Sequence, residues 1–329
     1  MQLRPFGQHP FHGSEIGFGA WAIGGSWGAQ ADADSLAALH RALDLGVNFI
    51  DTAAGYGDGR SERLIAQVLR ERAAAGRTEK IFVATKTPPT AGTWPPSPYD
   101  LAADRYPEAY LRANLATRAA NLGVEKVDLL QLHTWTRAWN RAPAPFKLLR
   151  QLQREGRVGL IGVSTPEHDQ NSVIDLMRGG WIDTVQVIYN LFEQEPAAEL
   201  LDVAREWGVA VIVRVAFDEG VLTGKFTPAT TFAPDDFRAG YFAGDRLARA
   251  VARAEEIKKD LAGTAYTQAE AALKFVLAHP AVSTVIPGIR SVAQAEANCR
   301  VSGLPPLPAA LLEKLRRHNW RRGVWYGGK

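Results

Sequence analysis

The chain has 329 residues, 46% of them hydrophobic and 22% charged, with a formal net charge of +3. That length and apolar fraction allow a large core and exclude a disordered or fibrous chain. The mild basic balance, with no dense Lys/Arg cluster, excludes nucleic acid or a membrane surface as the main partner. A single cysteine, Cys299, excludes an internal disulfide framework and fits a reducing compartment. With no apolar leader and no run of transmembrane length, a cytoplasmic location is expected.

Residues 1–15, punctuated by Gly7, Pro10 and Gly13, predict a short hairpin cap. Residues 16–20 follow as a core strand, then a loop rich in tryptophan and glycine, W-A-I-G-G-S-W-G. Leu36, Leu39 and Leu43 share one face of a helix over 35–45, closed by Gly46. The next apolar run, 47–50, stops on Asp51, and Tyr56 sits five residues on, among Gly55, Gly57 and Gly59. Leu64, Ile65, Val68 and Leu69 predict a helix over 61–75. Strands are then expected at 81–86, 128–133, 159–164, 184–188, 209–213 and 282–286, alternating with helices at 108–122, 145–155, 170–178, 196–207 and 267–278. The last of these helices opens on a capping box, T-Q-A-E, and a final helix opens at Ser291 with a second, S-V-A-Q.

Eight short apolar strands alternating with amphipathic helices imply a parallel sheet closed into a (β/α)₈ TIM barrel, with all of 1–329 as one domain. No G-x-G-x-x-G opens a helix after an early strand, which argues against a doubly wound dinucleotide fold. Three connections, 87–107, 134–143 and 216–266, are too long to be mere links. All follow strands, so they belong on the C-terminal, catalytic face. Their aromatics, among them Trp94, Tyr99, Trp135, Trp139, Phe217, Phe226 and Phe237, are expected to wall a pocket, and the longest holds an extra helix at about 246–261.

Asp51, Lys86 and His133 close three consecutive strands, so the barrel brings them to one mouth with Tyr56. A tyrosine titrates near ~10, and a neighbouring ammonium favours its phenolate and lowers that value. Asp51 would hold Lys86, and His133 would orient a carbonyl toward the Tyr56 hydroxyl, which suits a general acid. Each residue also has a plainer reading: Asp51 and Lys86 as a rim ion pair, His133 as a satisfied core histidine, Tyr56 as a turn aromatic. A second site is read in V-I-P-G-I-R-S-V-A-Q. Gly288 lets backbone approach a ligand, and Arg290 precedes a helix N-terminus suited to a terminal phosphate; the plainer reading is an exposed arginine beside a capping box. The segment G-V-L-T-G-K, Gly220 to Lys225, is one residue short of a phosphate loop, and the histidines form no zinc set.

Taken together, D-T-A-A-G-Y-G-D-G-R-S-E, A-T-K, D-L-L-Q-L-H, I-G-V-S, V-Q-V-I-Y-N, G-V-L-T-G-K and V-I-P-G-I-R resemble the aldo-keto reductase superfamily over essentially the full length. The likeness is to its bacterial branch, near the inositol-operon and potassium-channel β-subunit-like reductases. The resemblance implies a barrel that binds NADP(H) without a Rossmann domain and a catalytic tetrad of Asp51, Tyr56, Lys86 and His133, with Tyr56 as proton donor. It implies cofactor contacts from Ala20, Trp21, Asp51, Ser164, Thr165 and Gln186, from the segment holding Arg214, Val215, Phe217 and Gly220, and from Gly288, Arg290, Gln294 and Asn298. It also implies a substrate pocket of Trp21, Tyr56 and Trp135. Two positions depart from the family pattern: Thr165 stands where Asn is usual, and Arg214 where an aromatic is common. A guanidinium at Arg214 would stack on the cofactor ring and disfavour its oxidised form, or else grip an acidic substrate.

The expected activity is NADPH-dependent reduction of an aldehyde, ketone or sugar carbonyl. The alternatives are a regulatory subunit that binds NADP(H) with little turnover, and a barrel isomerase that uses no redox chemistry.

Overall fold

The computed structural model describes residues 1–25 and 27–320; Ser26, in the tryptophan-glycine loop, lies outside the described residues. An antiparallel hairpin, β1 (Leu3–Phe6) and β2 (His9–Ser14), comes first. Eight parallel strands follow in chain order, each hydrogen-bonded to the next: β3 (Phe18–Gly19), β4 (Phe49–Asp51), β5 (Phe82–Thr87), β6 (Val127–Leu132), β7 (Val158–Ser164), β8 (Thr184–Ile188), β9 (Ala210–Arg214) and β10 (Val282–Val285).

The sheet closes on itself where β10 meets β3. Gly17 N donates to Val285 O at 2.8 Å, Val285 N to Glu15 O at 2.9 Å, and Gly19 N to Pro287 O at 3.0 Å. A Cβ on Gly19 would lie 2.6 Å from the Ile286 carbonyl oxygen, so only glycine lets the first and last strands approach this closely. Closure removes both sheet edges, and the result is the expected (β/α)₈ barrel.

Helices wrap the outside: α1 (Asp32–Asp44), α2 (Arg60–Ala74), α3 (Ala102–Arg105), α4 (Glu108–Leu122), α5 (Ala144–Arg154), α6 (Ile174–Arg178), α7 (Leu200–Glu206), α8 (Phe237–Tyr241), α9 (Arg246–Asp260), α10 (Gln268–Leu277), α11 (Val292–Arg300) and α12 (Ala309–Arg316). The leucine stripe of α1 packs with Ile65 and Val68 of α2 and Ala295 and Cys299 of α11 in one buried cluster. The helices expected at 170–178 and 196–207 each begin with a 3₁₀ turn, at Gln170–Val173 and Glu195–Ala198. At Thr267 the capping box is complete. At Ser291 only half of it forms, because Gln294 Oε1 accepts from the backbone N–H of Arg290, at 2.7 Å, and not from Ser291. Nor is α11 the last helix, since α12 follows; its Leu311 and Leu315 are buried in the main core.

The hairpin stoppers the N-terminal end of the barrel. Phe6 lies 5.2 Å from the ring of Phe49 and 5.7 Å from that of Phe82, and Phe11 stacks on Phe82 at 4.6 Å. Phe49 and Phe82 begin β4 and β5, so this plug lies opposite the strand ends that carry Asp51 and Lys86. Among the described residues, the barrel is therefore plugged at this end, and ligands enter from the C-terminal end.

Candidate active site

Asp51 ends β4, Lys86 lies next to last in β5, and His133 follows the last residue of β6. Parallel register brings these ends together. Tyr56 comes to them from a tight turn after β4. Gly57 there has φ of 65°, and a Cβ on it would sit 2.2 Å from the Gly24 carbonyl oxygen, so the turn packs directly on the loop after β3. That explains Gly57, and Gly59, with φ of 76°, makes a second left-handed position in the same turn.

Lys86 is fully buried, and its ammonium makes three contacts: Asp51 Oδ1 at 2.5 Å, the Thr52 carbonyl at 2.9 Å, and the Tyr56 hydroxyl at 3.3 Å. The second Asp51 oxygen accepts from Gln186 Nε2 at 2.7 Å and Gln131 Nε2 at 3.2 Å. A charge pair this deep is tolerable because almost every polar atom in it has a partner. His133 stands 6.1 Å from the Tyr56 ring, at 74° to it.

Burial decides how these groups titrate. It pushes the Tyr56 hydroxyl above its ordinary value, with Lys86 pulling the other way and Asp51 adding to the rise. The expectation that Lys86 brings Tyr56 down is therefore corrected for the protein alone, because desolvation of the phenolate outweighs the ammonium. Tyr56 consequently keeps its proton at neutral pH. Burial also holds His133 well below the usual histidine value, reinforced by the positive charges of Lys86 and Arg214, so the imidazole is neutral.

A groove of about 910 Å³ runs from this cluster toward α11, at the upper end of the roughly 300–1,000 Å³ usual for ligand pockets. Ala20, Trp21, Asp51, Tyr56, His133, Ser164, Thr165, Gln186, Arg214, Val215, Phe217, Gly220, Gly288, Arg290, Gln294 and Asn298 all line it. Lys86 lies behind its wall and reaches it through Tyr56.

Several side chains are engaged differently from the expectation. The Gln186 amide is given to Asp51. The Thr165 hydroxyl turns inward to Gln170 and the Gln186 carbonyl. Arg290 grips the loop after β3, donating to the carbonyls of Trp27 at 2.6 Å and Ala29 at 2.7 Å and to Gln30 Oε1 at 2.9 Å. Gln30 answers by donating to the Arg290 carbonyl. The described residues of that loop form a strap that borders the groove at Trp21 and Trp27, with Trp27 bridged to Asp236. Arg238 stacks on the Trp27 ring at 4.5 Å, and Phe237 packs against both Trp21 and Trp27.

Trp135 does not reach the pocket. It is fully buried, with its ring 4.9 Å from Phe146 and 5.1 Å from Trp139 and its indole N–H on Asn140, because the chain after β6 folds down onto α5. Trp139 is buried too, and Tyr99 is almost wholly in solvent. Of the long-loop aromatics, Trp94 stands beside His133, at 6.4 Å. Sequence reasoning missed Gln131 as the second amide on Asp51, Trp27 on the strap, and Glu167, Arg238 and Arg300 in the lining. Gly220, Thr223 and Lys225 also line the groove, although the segment fails as a phosphate loop. Only the Asp51–Gln131 pairing had a sequence signal, since Gln131 lies on β6 two residues before His133, which directly follows that strand.

Among the described residues no His, Cys, Asp or Glu cluster is arranged for a metal ion, and no helix is long and apolar enough to cross a membrane.

Fold and site together define a class: a parallel barrel with an acid, a buried ion pair, a neutral imidazole and a long groove at one mouth. Comparison with known proteins makes it particular. Residues 15–319 match the profile of the Aldo/keto reductase family, and the chain belongs to that family. It is 30% identical to the aldo-keto reductase YhdN of Bacillus subtilis (strain 168), over 88% of this chain and 85% of that protein. It is 26% identical to the NADH-specific methylglyoxal reductase of Escherichia coli (strain K12), over 91% and 92%. Among solved structures it resembles the glycerol dehydrogenase AKR11B4 from Gluconobacter oxydans, with a TM-score of 0.77 and 26% identity over 96% of this chain and 94% of that one. The holo form of aldo-keto reductase AKR11C1 from Bacillus halodurans shares the fold, with a TM-score of 0.76 over 98% of each chain at 23% identity. The chain is thus an oxidoreductase of a family that uses a nicotinamide cofactor on small carbonyl substrates.

Proposed function

We propose that this chain, acting as a single barrel domain in the cytoplasm, reduces an aldehyde, ketone or sugar carbonyl with NADP(H), and that Tyr56 donates the proton. The observation that carries the reading is the buried Lys86, held by Asp51 and hydrogen-bonded to a protonated Tyr56 at the head of the groove. The groove also suits a phosphorylated dinucleotide in its charge: Lys225, Arg238, Arg290 and Arg300 line it. A reduced nicotinamide, when bound, supplies the hydride.

The residues of the chain do the rest. Neutral His133 hydrogen-bonds the carbonyl oxygen and turns it toward Tyr56. The Tyr56 hydroxyl then gives that oxygen its proton, and the adjacent ammonium of Lys86 stabilises the phenolate left behind. Asp51 keeps Lys86 charged and in place, with Gln131 and Gln186 fixing the carboxylate in turn. Trp21, Trp27 and Trp94 give the mouth apolar walls. In the remaining lining, Arg290, Gln294 and Asn298 would hold the adenosine end of the cofactor, and Ser164 and Gln186 the carboxamide.

A fluorescence titration with NADPH and NADH, followed by turnover on a carbonyl panel, tests the reading. Tight NADPH binding with measurable reduction is expected. Tight binding without turnover on any carbonyl would favour a nucleotide-sensing subunit instead, and tighter NADH binding would overturn the cofactor assignment.

A further inference from the structure

One charge pair in the groove makes no direct contact in the chemistry above. Arg214 ends β9 and donates through Nη2 to the Thr165 carbonyl at 3.0 Å, with Glu167 Oε1 at 3.3 Å. Both side chains line the groove, and they differ in exposure: Arg214 is 19% exposed and Glu167 32%. Arg214 Nε is buried without a hydrogen-bond partner. The guanidinium is near enough to the reacting end to act electrostatically on both Tyr56 and His133. A cation in that position, partly shielded from water, is screened far less than a surface charge. Its counter-ion is a single, more exposed carboxylate, so the compensation is incomplete and depends on one side chain.

The consequence follows from the charge that changes during the reaction. An oxidised nicotinamide ring is positive and a reduced one is neutral. A fixed cation beside the ring weakens binding of the oxidised form alone, and a carboxylate neutralising that cation restores it. A ligand state is favoured only by such differential interaction.

We propose that Glu167 and Arg214 form a charge balance that sets how tightly the oxidised cofactor is held relative to the reduced one, with Glu167 a positioning residue acting through Arg214. This inference rests on the cofactor reading given above.

Calorimetric titration of the full chain with NADPH and with NADP⁺ tests it, on the wild type, Glu167→Gln and Arg214→Met. The quantity read is the Kd for NADP⁺ divided by the Kd for NADPH. Glu167→Gln leaves the guanidinium uncompensated, so the ratio should rise by about threefold or more. Arg214→Met removes the cation and should lower the ratio by a similar factor. A purely structural loss would weaken both forms together and leave the ratio still. The partly exposed, conservative Glu167→Gln carries the test even if Arg214→Met folds poorly. An unchanged ratio in Glu167→Gln, or a shift in the same direction in both variants, overturns the inference while the cofactor reading survives. If the wild type binds neither nucleotide, the cofactor reading falls and this inference with it.

Discussion

At the scale of single residues, the site turns on how burial distributes protons. Tyr56 is held protonated and His133 neutral by the same desolvation, which gives the site an acid and an uncharged hydrogen-bonding partner at one pH. Tyr56→Phe keeps the ring and removes the proton, so kcat should fall by roughly 10²–10⁴ while cofactor Kd stays close to wild type. Near-normal turnover in that variant would assign the proton to another group. His133 makes a second, pH-dependent prediction. The unfolded chain takes up a proton on this histidine near pH ~6.5, whereas the folded chain does so only well below that. Between the two values the unfolded state binds more protons, so stability is complete above about pH 6.5 and declines as pH falls below it. Thermal melts from pH 8 to pH 5 should therefore drop less steeply for His133→Gln than for the wild type. Parallel curves would mean that the imidazole is not buried uncharged.

At the scale of elements, two devices hold the mouth together. The first is Glu62, at the start of α2. It is fully buried and accepts from Thr85 Oγ1 at 2.6 Å and Asn121 Nδ2 at 2.8 Å, with Arg118 at 3.2 Å, and so ties α2, the helix after the Tyr56 turn, to β5 and α4. Glu62→Ala leaves Arg118 buried without its charge partner and should destabilise the fold by about 3–5 kcal/mol in a urea melt. A loss under about 1 kcal/mol would show that water replaces the carboxylate. The second device is the strap anchored by Arg290. Arg290→Ala removes both that anchor and the proposed phosphate contact. NADPH affinity should therefore fall by about one to two orders of magnitude, and NADH affinity by less. Equal losses would mean that the guanidinium serves the strap alone.

At the scale of the whole molecule, the barrel separates stability from chemistry. Its sealed end, with Phe6 packed against both Phe49 and Phe82, lies opposite the groove. Phe6→Ala should cost about 3–5 kcal/mol in stability and leave kcat nearly unchanged for the molecules that remain folded; a large fall in kcat would show that the two ends are coupled. The eight strands, their order and the meeting of Asp51, Tyr56, Lys86 and His133 at one mouth were legible in the chain alone. The apolar runs, the glycines that stop the helices, and Asp51, Lys86 and His133 at the ends of three strands are local, and parallel register turns equal strand positions into neighbours. What the chain could not decide by itself was how side chains on the long loops resolve competing partners. Trp135 and Trp94 read alike in sequence, yet one is driven into the core by its packing on Phe146 while the other stands beside His133. Arg290 reads as a phosphate ligand, yet in the fold its donors lie on the carbonyls of a strap some 260 residues earlier. Tyr56 reads as a residue lowered by its lysine, until desolvation inside the closed barrel reverses the balance. Periodicity and strand ends depend on neighbours along the chain and are written in it. Burial, desolvation and the choice among hydrogen-bond partners depend on residues distant in sequence, and only the closed barrel determines them.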